Sequence, residues 1–121
     1  MMKTLAFTSL VLFLALMPAS AGELKHVVLF KFKESAPATA VADAEKAFAA
    51  LKEKIETIVG FEGGKNVSPE DRAKGFTHLY VITFEDQKGL DVYAPHPAHE
   101  AFKARMKPIL EEALIFDYVT E

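Results

Sequence analysis

The segment LKHVVLFKFK, residues 24–33, decides the fold. Its alternation predicts a β-strand, because successive strand side chains point to opposite faces of a sheet. Both faces are partly apolar: one carries His26, Val28, Phe30 and Phe32, and the other carries Val27 and Leu29. A sheet with helices on one side exposes its other face, so a strand with two apolar faces needs a second cover. The simplest cover is the same sheet of another copy, which predicts a homodimer through sheet faces.

An amphipathic helix is predicted to follow this strand, over residues 39–59. Its apolar side chains recur at steps of three and four, which places them in one stripe along a helix. These residues are Val41, Ala44, Phe48, Leu51, Ile55 and Ile58. Gly60 is expected to end the helix, and the charged residues between the apolar ones indicate a solvated face.

Two middle strands are predicted at residues 61–67 and 76–84, joined by polar turn residues. Gly63 and Gly64 in the first indicate a bulge or a close backbone approach. No strand, glycine loop and helix follow one another with a Lys-Ser or Lys-Thr pair, so a nucleotide-binding loop is excluded. The second segment alternates cleanly, which is typical of a half-buried strand.

A pairing of two distant histidines is expected from this arrangement. We expect the first and third strands to be the central, parallel neighbours of the sheet. His26 and His78 each lie on the more aromatic face of their strand. The two side chains are therefore expected to approach each other in one pocket.

The C-terminal third predicts two helices and a closing strand. A short helix carries Leu90 and Tyr93, and a second begins at Pro97, whose fixed φ and missing N–H suit the first helical position. His96 then lies immediately before the N-terminus of that second helix. His99, Phe102 and Met106 follow the spacing of its inward face, Pro108 ends or kinks it, and residues 114–119 form the fourth strand.

Residues 1–21 have the pattern of a secretory signal peptide. A lysine precedes an apolar run at residues 5–17, and Ala19-Ser20-Ala21 supplies the small-x-small pattern of a cleavage site. The run is too short for a spanning helix, which needs roughly 20 apolar residues. Cleavage would leave a single domain of residues 22–121, exported to a periplasm or out of the cell, with no membrane attachment.

The charge balance and the absence of cysteine exclude several classes of function. Without the leader, 13 Lys and Arg residues stand against 17 Asp and Glu residues, and no basic run occurs. Nucleic acid is therefore not expected as a partner. The chain contains no cysteine, which excludes disulfides, thiolate metal sites and Cys nucleophiles. So small an exported domain must be held by its core or by a partner subunit.

The run YAPHPAH, residues 93–99, is where chemistry is expected. It contains two of the four histidines and one of the three tyrosines of the chain. Histidine has an unperturbed pKa close to neutral pH, and a neighbouring Tyr hydroxyl can orient a carbonyl group.

Four pieces of sequence, in order, resemble the stress-responsive dimeric α/β barrel family. They are KHVVLFKF at 25–32, GFTH at 75–78, the pattern Tyr93-x-x-His96-Pro97-x-His99, and FDY at 116–118. The resemblance covers essentially all of residues 22–121. It implies an α+β, ferredoxin-like β-α-β-β-α-β antiparallel sheet with helices on one face, which dimerises sheet to sheet into an α/β barrel. It also implies that no cofactor is required.

A plant enzyme of this family, a cofactor-free lyase that closes a linear polyketide by aldol condensation, suggests roles for individual residues. Its catalytic His and Tyr resemble His99 and Tyr93, and two further pocket histidines resemble His26 and His78. By this resemblance, His99 removes a proton from the carbon beside a carbonyl while Tyr93 donates a hydrogen bond to the enolate oxygen. The predicted ligand-pocket residues are His26, Phe30, His78, Tyr80, His96 and Phe102.

Three functions stay open on this evidence. The first is an exported, stress-associated homodimer that binds a small carbonyl or aromatic ligand without catalysis, and the second is the lyase or cyclase activity. The third is a metal site, motivated by His96 and His99 at i and i+3 together with the two strand histidines. That spacing is not the one of a zincin helix, and a haem or flavin role rests on fold analogy alone.

Overall fold

The computed structural model describes residues 2–6, 8–11 and 22–121, so residues 12–21 and with them the predicted cleavage site lie outside the described part. The elements in chain order are β1 (Leu24–Phe32), α1 (Ala38–Ala49), α2 (Leu51–Lys54), β2 (Ile58–Lys65), β3 (His78–Phe84), α3 (Gln87–Tyr93), α4 (Pro97–Met106) and β4 (Leu110–Val119). The ferredoxin-like order of strands and helices is confirmed. Among these described segments, none of the helices has the length and apolar character needed to cross a bilayer.

The four strands form one sheet in the order β2-β3-β1-β4, and every neighbouring pair is antiparallel. The expectation that β1 and β3 are parallel is wrong, since the hairpin joining β2 to β3 makes β3 run against β1. His26 lies opposite Ile82, whereas His78 lies opposite Phe30. The two histidines are therefore offset by four positions along β1, which is about 13 Å at the rise of a strand. At this separation they do not share a pocket.

Several element boundaries differ from the sequence prediction. The helix predicted over residues 39–59 is divided into α1 and α2, and helical backbone ends at Lys54 and not at Gly60, because Ile55 is already extended and Ile58 begins β2. The two middle strands are also shifted, since β2 spans Ile58–Lys65 where residues 61–67 were predicted, and β3 begins at His78 where residue 76 was predicted. The apolar spacing continues past Lys54 only because Ile55 and Ile58 still face the core, where both are buried. Strand β4 begins at Leu110, four residues before the predicted start at Leu114. Its early residues pair with the end of β1, so partner geometry and not local pattern sets the boundary.

Of the two adjacent glycines in β2, only Gly63 lies where a side chain would not fit. A Cβ at Gly63 would overlap the backbone of Leu79 and the ring of Tyr80, whereas Gly64 has open space. This is the close approach that the sequence suggested. The irregular register of β2 lies elsewhere, between Ile58 and Gly60.

One face of the sheet carries the helices and the core. Helix α1 packs against α4, α2 against β2 and α4, and α3 against β3. The core contains Leu24, Val28, Phe30, Ala44, Phe48, Leu51, Ile55, Ile58, Tyr80, Ile82, Phe84, Tyr93, Phe102, Met106 and Ile109. The opposite face of the sheet has exposed apolar side chains at Leu79, Leu114 and Phe116, of which Phe116 is 65% exposed. Apolar side chains on both faces, as predicted for residues 24–33, are therefore found on β3 and β4 as well.

Candidate functional site

A cavity of about 540 Å³ lies between the sheet and helix α4, within the range of small-molecule sites. Strands β1 and β4 form its floor, and α3, α4 and the short segment between them form its wall. Its lining residues are His26, Val28, Phe30, Phe48, Leu90, Tyr93, Ala94, His99, Phe102, Lys103, Met106, Lys107, Leu110, Ala113 and Ile115. The lining is mainly apolar, with a few polar groups that can orient a ligand.

Tyr93 and His99 lie against each other in this cavity. Tyr93 is the last residue of α3, and His99 is in the first turn of α4, so the turn between the helices brings them together. Their rings stack with centroids 4.1 Å apart at an interplanar angle of 26°. Tyr93 is 1% exposed, and burial raises the pKa of its hydroxyl, which keeps it protonated as a hydrogen-bond donor.

The backbone fixes the tautomer of His99. Nδ1 of His99 donates a hydrogen bond of 2.9 Å to the carbonyl oxygen of Ala94, because a carbonyl can only accept. Burial lowers the pKa of His99 below its ordinary value, while the bond to Ala94 opposes that shift. The neutral ring then has its proton on Nδ1 and a free lone pair on Nε2. A neutral imidazole with one free nitrogen is the form that a general base requires.

His26 is held at the floor of the cavity by a carboxylate from the neighbouring strand. Asp117 lies directly opposite His26 in the β1–β4 pairing, and its Oδ1 accepts a hydrogen bond from Nδ1 of His26 at 2.5 Å. The ring of His26 meets the ring of Tyr93 edge-on, with centroids 5.5 Å apart. Tyr93 therefore lies between two histidines, each with Nδ1 bound to a fixed acceptor.

The apolar wall is an aromatic cluster that connects the cavity to the core. Phe102 stacks on Phe48 with centroids 4.5 Å apart, and Phe30 packs against both rings. Offset and tilted contacts of this kind add stability beyond the area they bury. The far end of the cavity therefore has rigid walls, which favours a ligand with an apolar body.

Five of the eight predicted site residues line this cavity, and three do not. Those that do are His26, Phe30, Tyr93, His99 and Phe102. His96 instead caps α4, because its Nδ1 accepts a hydrogen bond from the backbone N–H of Ala98 at 3.0 Å. Its imidazole replaces the Ser, Thr, Asn or Asp oxygen that usually satisfies a first-turn N–H. The roles predicted for the lining residues stay predictions.

His78 and Tyr80 belong to a second polar cluster under α1. Nε2 of His78 lies 3.0 Å from a carboxylate oxygen of Glu45, and its Nδ1 lies 2.7 Å from the Thr77 hydroxyl. The hydrogen bond to His78 lowers the pKa of Glu45. Tyr80 stacks against His78 within this cluster. These contacts tie α1 to β3 and satisfy a buried imidazole, a structural role that needs no ligand.

The four histidines are thus divided among three places, which removes the basis of the metal hypothesis. In the part of the chain that the structure describes, no three His, Cys, Asp or Glu side chains come close enough to hold a metal ion.

Sequence reasoning missed Asp117 and the two lysines of the cavity, Lys103 and Lys107. The sequence shows Asp117 only as part of the segment FDY at residues 116–118. Alternation predicts on which face of the sheet a strand residue lies, but it does not predict which residue of the neighbouring strand lies beside it. The lysines lie at i+4 and i+8 from His99, and this spacing was the signal that could have found them. Charged residues on a helix are so commonly solvated that this spacing alone does not predict that the lysines line a cavity.

Comparison with known proteins shows which family the fold and sequence resemble. The family model described as Stress responsive A/B Barrel Domain matches residues 24–120. The stress-response A/B barrel domain-containing protein HS1 of Arabidopsis thaliana is 34% identical over 102 residues, which cover 84% of this chain and 94% of HS1. Olivetolic acid cyclase of Cannabis sativa is 31% identical over 94 residues, which cover 78% of this chain and 93% of the cyclase.

Solved structures give the same fold. Hydroxynitrile lyase from Passiflora edulis superposes with a TM-score of 0.77 at 22% identity, covering 83% of this chain and 94% of the lyase. A dimeric protein of unknown function and ferredoxin-like fold from Bacteroides fragilis superposes with a TM-score of 0.67 at 27% identity, covering 82% and 97% of the two chains. The ferredoxin-like fold is therefore shared with both enzymes and proteins without a known reaction.

Proposed function

The chain belongs to the stress-responsive A/B barrel domain family, and we propose that it binds a small, mainly apolar carbonyl compound in the cavity beside α4. The observation that carries this proposal is the stacked pair of Tyr93 and His99 in an otherwise apolar cavity. An apolar pocket with a few oriented polar groups is the usual form of a small-molecule site.

The polar groups of the cavity suit a carbonyl oxygen. The protonated hydroxyl of Tyr93 can donate a hydrogen bond to it, and the neutral Nε2 of His99 can accept a proton from the neighbouring carbon. Leu90 and Phe102 line the same cavity and supply apolar surface for the body of the ligand. A ligand without any polar group would leave both side chains without a partner.

A ligand bound in the cavity should raise the melting temperature of the domain, and a bulky side chain that fills the cavity should abolish this rise. A ligand that binds only the folded state stabilises it by mass action. At a free ligand concentration a hundred times Kd, the free energy of unfolding increases by about 2.7 kcal/mol. We expect 2-undecanone or an aromatic ketone to raise the melting temperature of the native domain but not of Ala113→Phe, because Ala113 lines the cavity. Ala104→Phe makes the same change on the exposed side of α4 and should keep the shift.

Absence of a shift across ketones of several lengths would contradict the proposal. An equal shift in Ala113→Phe and the native domain would mean that the compounds bind elsewhere.

A second candidate function is cofactor-free catalysis at the same cavity, with His99 as general base and Tyr93 as the orienting donor. The hydrogen bond from His99 to Ala94 favours it, because it uses Nδ1 and leaves Nε2 of the neutral ring free to accept a proton. The relatives include a cyclase by sequence and a lyase by fold, which supports a reaction at a carbonyl compound without naming the substrate.

We propose that the working form is a homodimer joined through the free faces of the two sheets. Val27, Leu29, Leu79, Leu114 and Phe116 form an apolar outer face, and no helix of residues 22–121 covers it. Exposed apolar side chains that adjoin one another on one face mark an interaction surface. The Bacteroides fragilis relative with the same fold is described as dimeric.

We propose that the protein is exported and cleaved after residue 21, because residues 1–21 have the signal-peptide pattern. Intact mass measurement of protein from the periplasm or culture medium of an expressing bacterium should give a chain that begins at Gly22. Recovery of the uncut chain from the cytoplasm alone would contradict export.

A further inference from the structure

Two lysines on α4 line the cavity together with His99. Lys103 lies one helical turn beyond His99, and Lys107 lies one turn beyond Lys103. At a rise of 1.5 Å per residue, Lys107 is about 12 Å along the helix from His99. Both residues are exposed, so their ammonium groups can remain in water while their aliphatic stems line the cavity.

The two lysines differ in charge compensation. Nζ of Lys103 lies 2.7 Å from a carboxylate oxygen of Glu100, so this lysine already has an ion-pair partner on the surface of α4. Lys107 has no carboxylate partner within ion-pair distance among the described residues. It directly follows α4, where the negative end of the helix dipole stabilises a cation.

The floor opposite these lysines is apolar and open. Leu110, Ala113 and Ile115 of β4 face them across the cavity, and Ile115 is 58% exposed. An apolar floor beside a lysine that has no carboxylate partner among the described residues is complementary to a chain that ends in an anion. The other end of the same cavity holds Tyr93 and His99.

We propose that the ligand is an elongated keto acid, with its ketone at Tyr93 and His99 and its carboxylate at Lys107. This inference rests on the proposed function, because it identifies the class of compound for that cavity. The apolar chain between the two polar ends covers Met106 and Leu110 and the neighbouring floor residues. The distance between His99 and Lys107 along α4 sets the separation of the ketone and the carboxylate.

Three matched compounds test the proposal by calorimetric titration of the full domain. We expect 10-oxoundecanoic acid to bind more tightly than its methyl ester, which has the ketone and chain but no charge. Undecanoic acid, which lacks the ketone, should bind more weakly than the keto acid. A charge-assisted hydrogen bond predicts that Lys107→Met weakens the keto acid about tenfold or more and leaves the ester unchanged.

Arg105→Met is the matched control, because it removes the same charge from α4 at a residue that does not line this cavity. It should leave the preference for the acid intact. Equal affinity for acid and ester in the native domain would overturn the keto-acid inference while the proposed carbonyl-binding function stands. An equal loss in Arg105→Met and Lys107→Met would also overturn it, since a general charge effect would then explain the preference. Binding of none of the three compounds would contradict the proposed function itself.

Discussion

Replacement of His99 by Gln should slow proton removal from a bound ketone by about 10²–10⁴-fold, the usual contribution of a positioned general base. Gln can still donate a hydrogen bond to the Ala94 carbonyl, so the local fold is kept, but it has no basic nitrogen. The measurement is the exchange of the hydrogens beside the ketone of 2-undecanone for solvent deuterium, followed by NMR with the protein saturated by ligand. His96→Asn is the matched control, because it also removes an imidazole, Asn can still cap α4, and residue 96 does not line the cavity.

The pH dependence of this exchange has a definite sign. The base is the deprotonated imidazole, so the rate rises with pH through the pKa of His99 and is level above it. Burial lowers that pKa, so the rise should be centred below about 6.5, the value of an unperturbed histidine. Exchange that is unchanged in His99→Gln, or that is absent in the native domain with ligand bound, would reject catalysis at this site and leave ligand binding as its function.

Phe116→Glu should convert the dimer into a monomer. Phe116 lies opposite Val27 in the β1–β4 pairing, on the outer face of the sheet, and is among the most exposed apolar side chains of the domain. Loss of one central aromatic contact in an interface commonly costs 2 kcal/mol or more, and an added buried charge costs further. The dissociation constant should therefore rise by at least about thirtyfold. Sedimentation equilibrium over a wide range of concentration measures it.

Val92→Glu provides the control for this experiment. Val92 is exposed on α3, away from the outer face of the sheet, so the same change there should leave the dimer intact. A native domain that is monomeric at every concentration would refute the sheet-to-sheet dimer. Dissociation of both variants would indicate that added negative charge, and not loss of the face, is responsible.

Much of the fold could be predicted because strands and helices have different periods. The alternation in residues 24–33 identified β1 and its two apolar faces before any partner was known. The spacing predicts helix as far as Val59, whereas helical backbone ends at Lys54. The reason is that Ile55 and Ile58 continue the helical spacing although they face the core from non-helical backbone. Apolar spacing reports which side chains are buried, and two kinds of backbone can bury them.

Five of the predicted site residues line the cavity, but which of them touch one another was predictable only for residues close in sequence. Tyr93 and His99 lie in one short run, and the turn between α3 and α4 brings their rings into contact. His26 and His78 were expected to meet, but the antiparallel pairing of β1 and β3 separates them, and each has its own carboxylate in Asp117 or Glu45.

The sequence by itself determined the family, the order of elements, the two-faced sheet and the Tyr93 and His99 pair, because each depends on residues near one another along the chain. The pairing of His26 with Asp117, the capping of α4 by His96 and the place of Lys107 in the cavity wall became visible only in the folded chain. The physical reason is that strand direction and register are set by contacts across the whole sheet, and a shift of one residue in pairing would move every partner to the other face.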